Sequence, residues 1–191
     1  MGDLDNLRLQ CLSCRKCEPG TTRTNLVFGV GNPNARVMFI GEAPGEQEDL
    51  RGEPFVGRSG KLMDSMIAEV GLYRDKNIYI ANMIKCRPPN NRDPLPSEQE
   101  ACINWLRAQF KIIKPKIIVC VGRIAAARIM KPDIKITKEH GVFMEKKGVL
   151  MMATLHPAAL LRNINQKPLA EEDFRILKQK IMEVCPETYN I

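Results

Sequence analysis

Seven cysteines stand in the chain, and four of them are placed where thiolates could share a metal. Cys14 and Cys17 form a C-x2-C pair in the turn-like stretch Ser13-Cys14-Arg15-Lys16-Cys17-Glu18-Pro19-Gly20, so two sulfurs can converge. Cys86 sits in Lys85-Cys86-Arg87-Pro88-Pro89, just past a strand-like run, and Cys102 lies near the start of a helix opened by Pro96-Ser97-Glu98-Gln99-Glu100. Four thiolates suit either a tetrahedral zinc ion or an iron–sulfur cube, and spacing does not separate the two. Cys11 competes for a place in the set because it is evenly spaced with Cys14 and Cys17. Cys120, inside an apolar run, reads as a small buried hydrophobe, and Cys185 is assigned no role.

A second set of reactive residue types follows short apolar runs. Gly41-Glu42-Ala43-Pro44-Gly45-Glu46-Gln47-Glu48-Asp49 comes after one run, Asn82-Met83-Ile84-Lys85-Cys86 after another, and Leu155-His156-Pro157-Ala158-Ala159-Leu160-Leu161-Arg162-Asn163 after a third. Taken singly, the first is an ordinary Gly/Pro turn and Asn82 a cap or turn residue. His140, in the polar turn Lys138-Glu139-His140-Gly141, reads as solvated. Together, carboxylates, an amide and a histidine converge if the preceding runs are neighbouring strands of one sheet.

The elements that would bring them together are legible as a pattern. Arg36 to Ile40, Asn77 to Ala81, Lys116 to Val121 and Val149 to Thr154 are apolar, rich in branched residues and closed by Gly, Asn or Pro, as buried strands are. Helix-period segments lie between and after them, roughly Gly57 to Val70, Ser97 to Ile113, Arg123 to Met130 and Ala170 to Glu183, with a loop and hairpin over Asp133 to Lys147. Strands alternating with helices predict a single α/β domain over residues 1–191, a three-layer α/β/α arrangement around a mostly parallel four-stranded sheet. Loops leaving the carboxyl ends of such strands build the ligand crevice.

Composition bounds the partners. The 191 residues are 44% hydrophobic and 27% charged, and no window holds the ~18–20 uninterrupted apolar residues of a membrane helix. The charged opening, Met1 to Asn6, lacks the apolar block of a secretory signal, so the expected setting is a reducing cytoplasm. With 29 Lys+Arg against 22 Asp+Glu the net charge is +7, the sign expected for a partner that carries phosphates.

In their order along nearly the whole chain, these motifs resemble family 4 of the uracil-DNA glycosylase superfamily, the iron–sulfur uracil-DNA glycosylases of thermophilic bacteria and archaea. The family's first motif reads here as Gly41-Glu42-Ala43-Pro44-Gly45-Glu46, its phenylalanine segment as Pro54-Phe55-Val56-Gly57, its asparagine as Asn82, and its second motif as His156-Pro157-Ala158-Ala159-Leu160-Leu161. The resemblance implies that Cys14, Cys17, Cys86 and Cys102 hold a [4Fe-4S] cluster rather than zinc. It also implies a prokaryotic, monomeric enzyme that acts on uracil in single- or double-stranded DNA during base excision repair.

The implied chemistry agrees with what the residue types can do. A glycosylase takes its base out of the stack and reads it in a closed pocket. Phe55 would stack on uracil, while the Asn82 amide would accept from N3–H and donate to O4, a pattern that cytosine does not present. His156, with backbone N–H groups of the Gly41 to Ala43 turn, would stabilise the departing uracil anion at O2. Glu42 or Glu48 would orient water or offset charge on the sugar, because family 1 relatives place an aspartate where this chain has Ala43. Family 1 also has a tyrosine at the position of Gly45 that excludes the thymine methyl, a role expected here of Glu48. Leu160, with Leu161, would be the wedge that fills the gap in the DNA. Arg87, Arg92, Arg162 and Lys85 are expected at phosphates.

No lysine in these motifs offers a Schiff-base nucleophile, which predicts a monofunctional hydrolase. A related subfamily captures the sugar through a loop histidine, but no histidine lies between residues 82 and 102. The alternatives are a non-catalytic DNA-binding or polymerase-associated module of the same fold, and a zinc-stabilised hydrolase acting on nucleotides.

Overall fold

The computed structural model describes residues 2–190. Its strands are β1 (Val30–Gly31), β2 (Val37–Gly41), β3 (Ile78–Asn82), β4 (Ile117–Val121), β5 (Phe143–Lys146) and β6 (Val149–Thr154), joined in one sheet of order β1-β3-β2-β4-β6-β5. Its α-helices are α1 (Asp3–Leu12), α2 (Glu18–Thr22), α3 (Glu46–Arg51), α4 (Arg58–Ala68), α5 (Pro96–Ile113), α6 (Arg123–Ile129), α7 (Ile136–Glu139), α8 (Pro157–Arg162) and α9 (Lys167–Val184).

The four expected strands are the parallel centre of the sheet, and β1 and β5 add an antiparallel strand at each edge. The expectation of four strands is therefore corrected to six. The reason is local: β1 is only two residues long, and β5 belongs to the hairpin expected over Asp133 to Lys147, with two of its four residues exposed. Neither carries the continuous apolar signal of a central strand.

Alternation along the central strands divides the core in two. Val37, Phe39, Ile78, Ile80, Val119 and Met152 face Met63, Met66 and Ile67 of α4 and Phe174, Leu177 and Ile181 of α9. Met38, Ile40, Tyr79, Ile118, Cys120 and Met151 face Ile103 and Leu106 of α5 and Ala125 and Ala126 of α6. Period 2 in the strands and positions 170, 173, 174, 177 and 181 buried along α9 create this three-layer arrangement.

Two parallel registers set the height of the functional edge. Gly41 lies opposite Asn82, and Val121 opposite Thr154, so the loops after β2, β3, β4 and β6 leave the sheet side by side.

Candidate active site and cysteine cavity

Gly41, the last residue of β2, has no room for a side chain. A Cβ there would lie 2.4 Å from Asn82 Oδ1 and 2.5 Å from Phe55 Cζ. Asn82 is buried, and its Oδ1 has no hydrogen-bond partner among the described residues. Leaving a buried acceptor unpaired costs about 1–3 kcal/mol, so such an atom calls for an explanation.

Phe55 is placed by a loop that its own sequence does not favour. Its φ is 54°, in the left-handed region that a residue with a Cβ seldom occupies. Three neighbours hold it there. Arg74 donates from Nη1 to the Pro54 carbonyl at 2.9 Å and from Nη2 to the Phe55 carbonyl at 2.8 Å. Glu48 Oε1 accepts from the N–H groups of Val56 and Gly57 at 2.9 and 2.8 Å, while Oε2 accepts from Gly45 N–H at 3.1 Å. Gly60 lets α4 pass so close that a Cβ would fall 1.9 Å from the Phe55 carbonyl oxygen. Neither Arg74 nor Gly60 carries a motif that would have drawn notice in the sequence. Glu48, expected at the sugar or against the thymine methyl, instead has both oxygens committed to backbone N–H groups.

His156 caps α8. Its Nδ1 accepts from Ala158 N–H at 3.1 Å, so a neutral ring carries its proton on Nε2. Burial first, then the positive charge of Arg162, pushes its pKa down to about 4, with Glu48 acting in the opposite sense. The ring lies 5.9 Å from that of Phe55, centroid to centroid. Gly122, with φ of 92°, gives it space: a Cβ there would approach His156 Cβ at 3.0 Å.

Glu42, Ala43 and His156 line one open cavity of about 660 Å³ together with Arg92, Asp93, Arg123 and Arg162. Burial first, then the Asp93 carboxylate, pushes Glu42 up to about 7, and Arg123 works against this. The cavity thus holds a carboxyl that titrates near neutrality beside a histidine that stays neutral there.

Several expectations are corrected by burial. Leu160 is 0% exposed in the core, whereas Leu161 is 41% exposed. One residue along a helix is a turn of about 100°, so only Leu161 can reach outward. Lys85 is wholly buried and cannot touch a phosphate. Arg162 is exposed, while Arg92 is paired with Glu98 at 2.6 Å and Glu18 at 3.2 Å, and Arg87 donates to Asn91 Oδ1 at 2.7 Å. His140 is not solvated: its Nδ1 lies 2.8 Å from Oδ1 of the buried Asp173, whose Oδ2 accepts from Thr154 Oγ1 at 2.7 Å.

The four expected cysteines meet, and Cys11 joins them. Cys11, Cys14, Cys17, Cys86 and Cys102 line one small cavity with Lys85, Arg23 and Trp105. Among the described residues no group of three His, Cys, Asp or Glu side chains stands ready for a single metal ion. The sulfurs surround a space instead. Arg23 Nη1 donates to Cys86 Sγ at 3.1 Å, and Lys85 N–H donates to Cys102 Sγ at 3.3 Å, the kind of N–H to sulfur bond that tunes an iron–sulfur group. Soft donors around a shared space, with hydrogen bonds to their sulfurs, fit such a group. Burial pushes Cys102 up to about 11 and Cys11 to about 12, so these thiols keep their protons unless a metal replaces them. Cys120 is buried in the core away from this set.

Comparison with known proteins gives the same direction. The profile described as the uracil DNA glycosylase superfamily matches residues 28–178. The type-4 uracil-DNA glycosylase of Archaeoglobus fulgidus is 46% identical over 193 residues, covering 97% of this chain and 94% of the relative. Those of Sulfurisphaera tokodaii and Thermotoga maritima are 43% and 45% identical, covering 100% and 78% of this chain and 90% and 79% of the relatives. The chain belongs to the uracil DNA glycosylase superfamily and, within it, to the type-4 family.

Proposed function

We propose that this protein flips uracil out of DNA and hydrolyses its N-glycosidic bond, leaving an abasic site in an uncut strand. The observation that carries the reading is the buried Oδ1 of Asn82, packed against Gly41 close to the Phe55 ring and without a hydrogen-bond partner among the described residues. Uracil N3–H supplies the missing donor, and cytosine, with an acceptor at that position, leaves the atom unpaired. Phe55, held rigidly, stacks on the ring.

As the C1′–N1 bond breaks, its electron pair passes to uracil and charge builds on O2. His156 meets that charge with Nε2–H as a neutral donor, as the hydrogen bond at its Nδ1 dictates. Glu42, as carboxylate, takes a proton from the water that adds to C1′. Glu48 is a positioning residue that ties the turn after β2 to the Phe55 loop. Lys85, three residues past Asn82, is buried and bonded to protein oxygens, which supports hydrolysis without a Schiff base. Leu161 fills the gap in the stack, and Arg162, exposed beside it, meets a phosphate.

Cys14, Cys17, Cys86 and Cys102 hold a [4Fe-4S] cluster that fastens the N-terminal segment to the loop after β3 and the first turns of α5. It supplies no bond-making step. The substrate is uracil-containing DNA, single- or double-stranded, met by a monomer in a prokaryotic cytoplasm. No helix among the described residues is long and apolar enough to cross a membrane.

Release of uracil from a labelled oligonucleotide tests the proposal, with alkali added afterwards to cut abasic sites. Strand cleavage only after alkali, and a loss of ~10²-fold or more in Asn82→Ala and His156→Ala, is the expected result. No release by protein shown to carry iron and sulfide rejects the activity.

A further inference from the structure

Lys85 stands between the cysteine cavity and the uracil-reading strand, and the site described above makes no use of it. The residue is 0% exposed. Its Nζ donates to the Asn82 carbonyl at 2.8 Å and to Gln109 Oε1 at 2.6 Å, and lies 5.9 Å from the centroid of the Phe28 ring. Gln109 is itself fixed, donating to the Phe28 carbonyl at 2.9 Å and the Tyr79 hydroxyl at 3.2 Å. Each of these partners is neutral.

A buried ammonium without a counter-charge is costly. In the cavity that Lys85 lines negative charge would collect, because iron-bound cysteines are thiolates. The main chain of Lys85 is already part of that wall: its N–H donates to Cys102 Sγ, and its carbonyl carbon is bonded to the nitrogen of Cys86. The same residue therefore touches the cysteine set through its backbone and the end of β3 through its side chain.

We propose that Lys85 is the counter-ion of the cysteine-bound cluster and a positioning residue for Asn82, coupling the charge of the cluster to the affinity of the uracil pocket. This rests on the function proposed above. The thiolate charge keeps the ammonium in place, and the ammonium holds the Asn82 carbonyl, which fixes the height at which its side chain meets uracil. Loss of either member slackens the other.

The test begins by measuring iron, sulfide and uracil release on the unaltered protein, so that failure of the underlying reading is seen separately. The midpoint potential of the cluster and the dissociation constant of free uracil are then compared in holoprotein carrying Lys85→Met or Lys85→Arg. In Lys85→Met the potential becomes more negative, since a positive charge favouring the reduced form is gone, and uracil binds about tenfold more weakly. Lys85→Arg keeps the charge and a potential above that of Lys85→Met. A Lys85→Met protein with unchanged potential, or with unchanged uracil affinity, overturns the proposal, as does a Lys85→Arg potential as low as that of Lys85→Met. If neither variant folds with iron, the unaltered protein decides. Coupling is reciprocal, so saturating uracil, a neutral ligand, must shift the cluster potential, and an unmoved potential overturns the proposal.

Discussion

Burial acts on Glu42 and His156 alike, penalising charge, but the two groups need opposite outcomes and each receives its own. For a carboxyl the penalty raises the pKa, here to about 7, so Glu42 is protonated below neutrality and a base only above it. For an imidazole it lowers the pKa, here to about 4, so His156 keeps a neutral Nε2–H donor across the working range. The rate of uracil release is expected to rise with pH through about 7 and then level off, with no further limb from His156 above pH ~5. Glu42→Gln should flatten that rise and slow release by ~10²–10⁴-fold; a profile in which the rise survives assigns the titration elsewhere. At Gly41 the expectation is steric. Gly41→Ala places a methyl against Asn82 Oδ1 and the Phe55 ring, so release should fall ~10²-fold or more. Circular dichroism should show a folded protein destabilised by about 1–3 kcal/mol.

Helix α8 separates two adjacent leucines into different jobs. Leu160→Ala opens a cavity under the sheet and should cost about 2–5 kcal/mol in denaturant unfolding. Leu161→Ala should leave that stability within about 0.5 kcal/mol and instead slow release from duplex more than from single strands. Equal effects on both substrates would remove Leu161 from the gap. The loop holding Phe55 depends on Glu48 in a comparable way: Glu48→Ala frees three N–H groups and should lower stability by about 1–3 kcal/mol together with uracil release. A gain of thymine release in that variant would restore the expectation that Glu48 blocks the methyl. These distinctions mark where the sequence stops being legible. The central strands were readable nearly to the residue because each is a continuous apolar run, and α5 and α9 because each sustains a helical period over 18 residues. A six-residue helix such as α8 is too short for its period to declare which leucine faces inward, and two-residue β1 has no period at all. Positions 42, 82 and 156 stood out by type and by their place after strand-like runs, and Phe55 only through the family resemblance, whereas Arg74 acts through a guanidinium reaching back across 20 residues, a contact that no spacing encodes.

On the scale of the whole molecule, the cysteine cavity joins segments far apart in the chain, α1 and the stretch before α2 on one side and the loop into α5 on the other. Withdrawing the metal with an oxidant and a chelator should therefore lower the melting temperature and expose residues 3–23 to protease first, while the sheet, whose strands do not line the cavity, unfolds later. A uniform loss of protection would mean that the N-terminal segment is held by packing on α5 rather than by its cysteines. The sheet edge has its own consequence for how the protein behaves in a test tube. Oδ1 of Asn82, without a hydrogen-bond partner among the described residues, gains one when a donor binds beside it. Free uracil, the released base, should then act as a stabilising additive, raising the melting temperature in proportion to the logarithm of its concentration above its dissociation constant, while equal concentrations of cytosine leave the melt where it was.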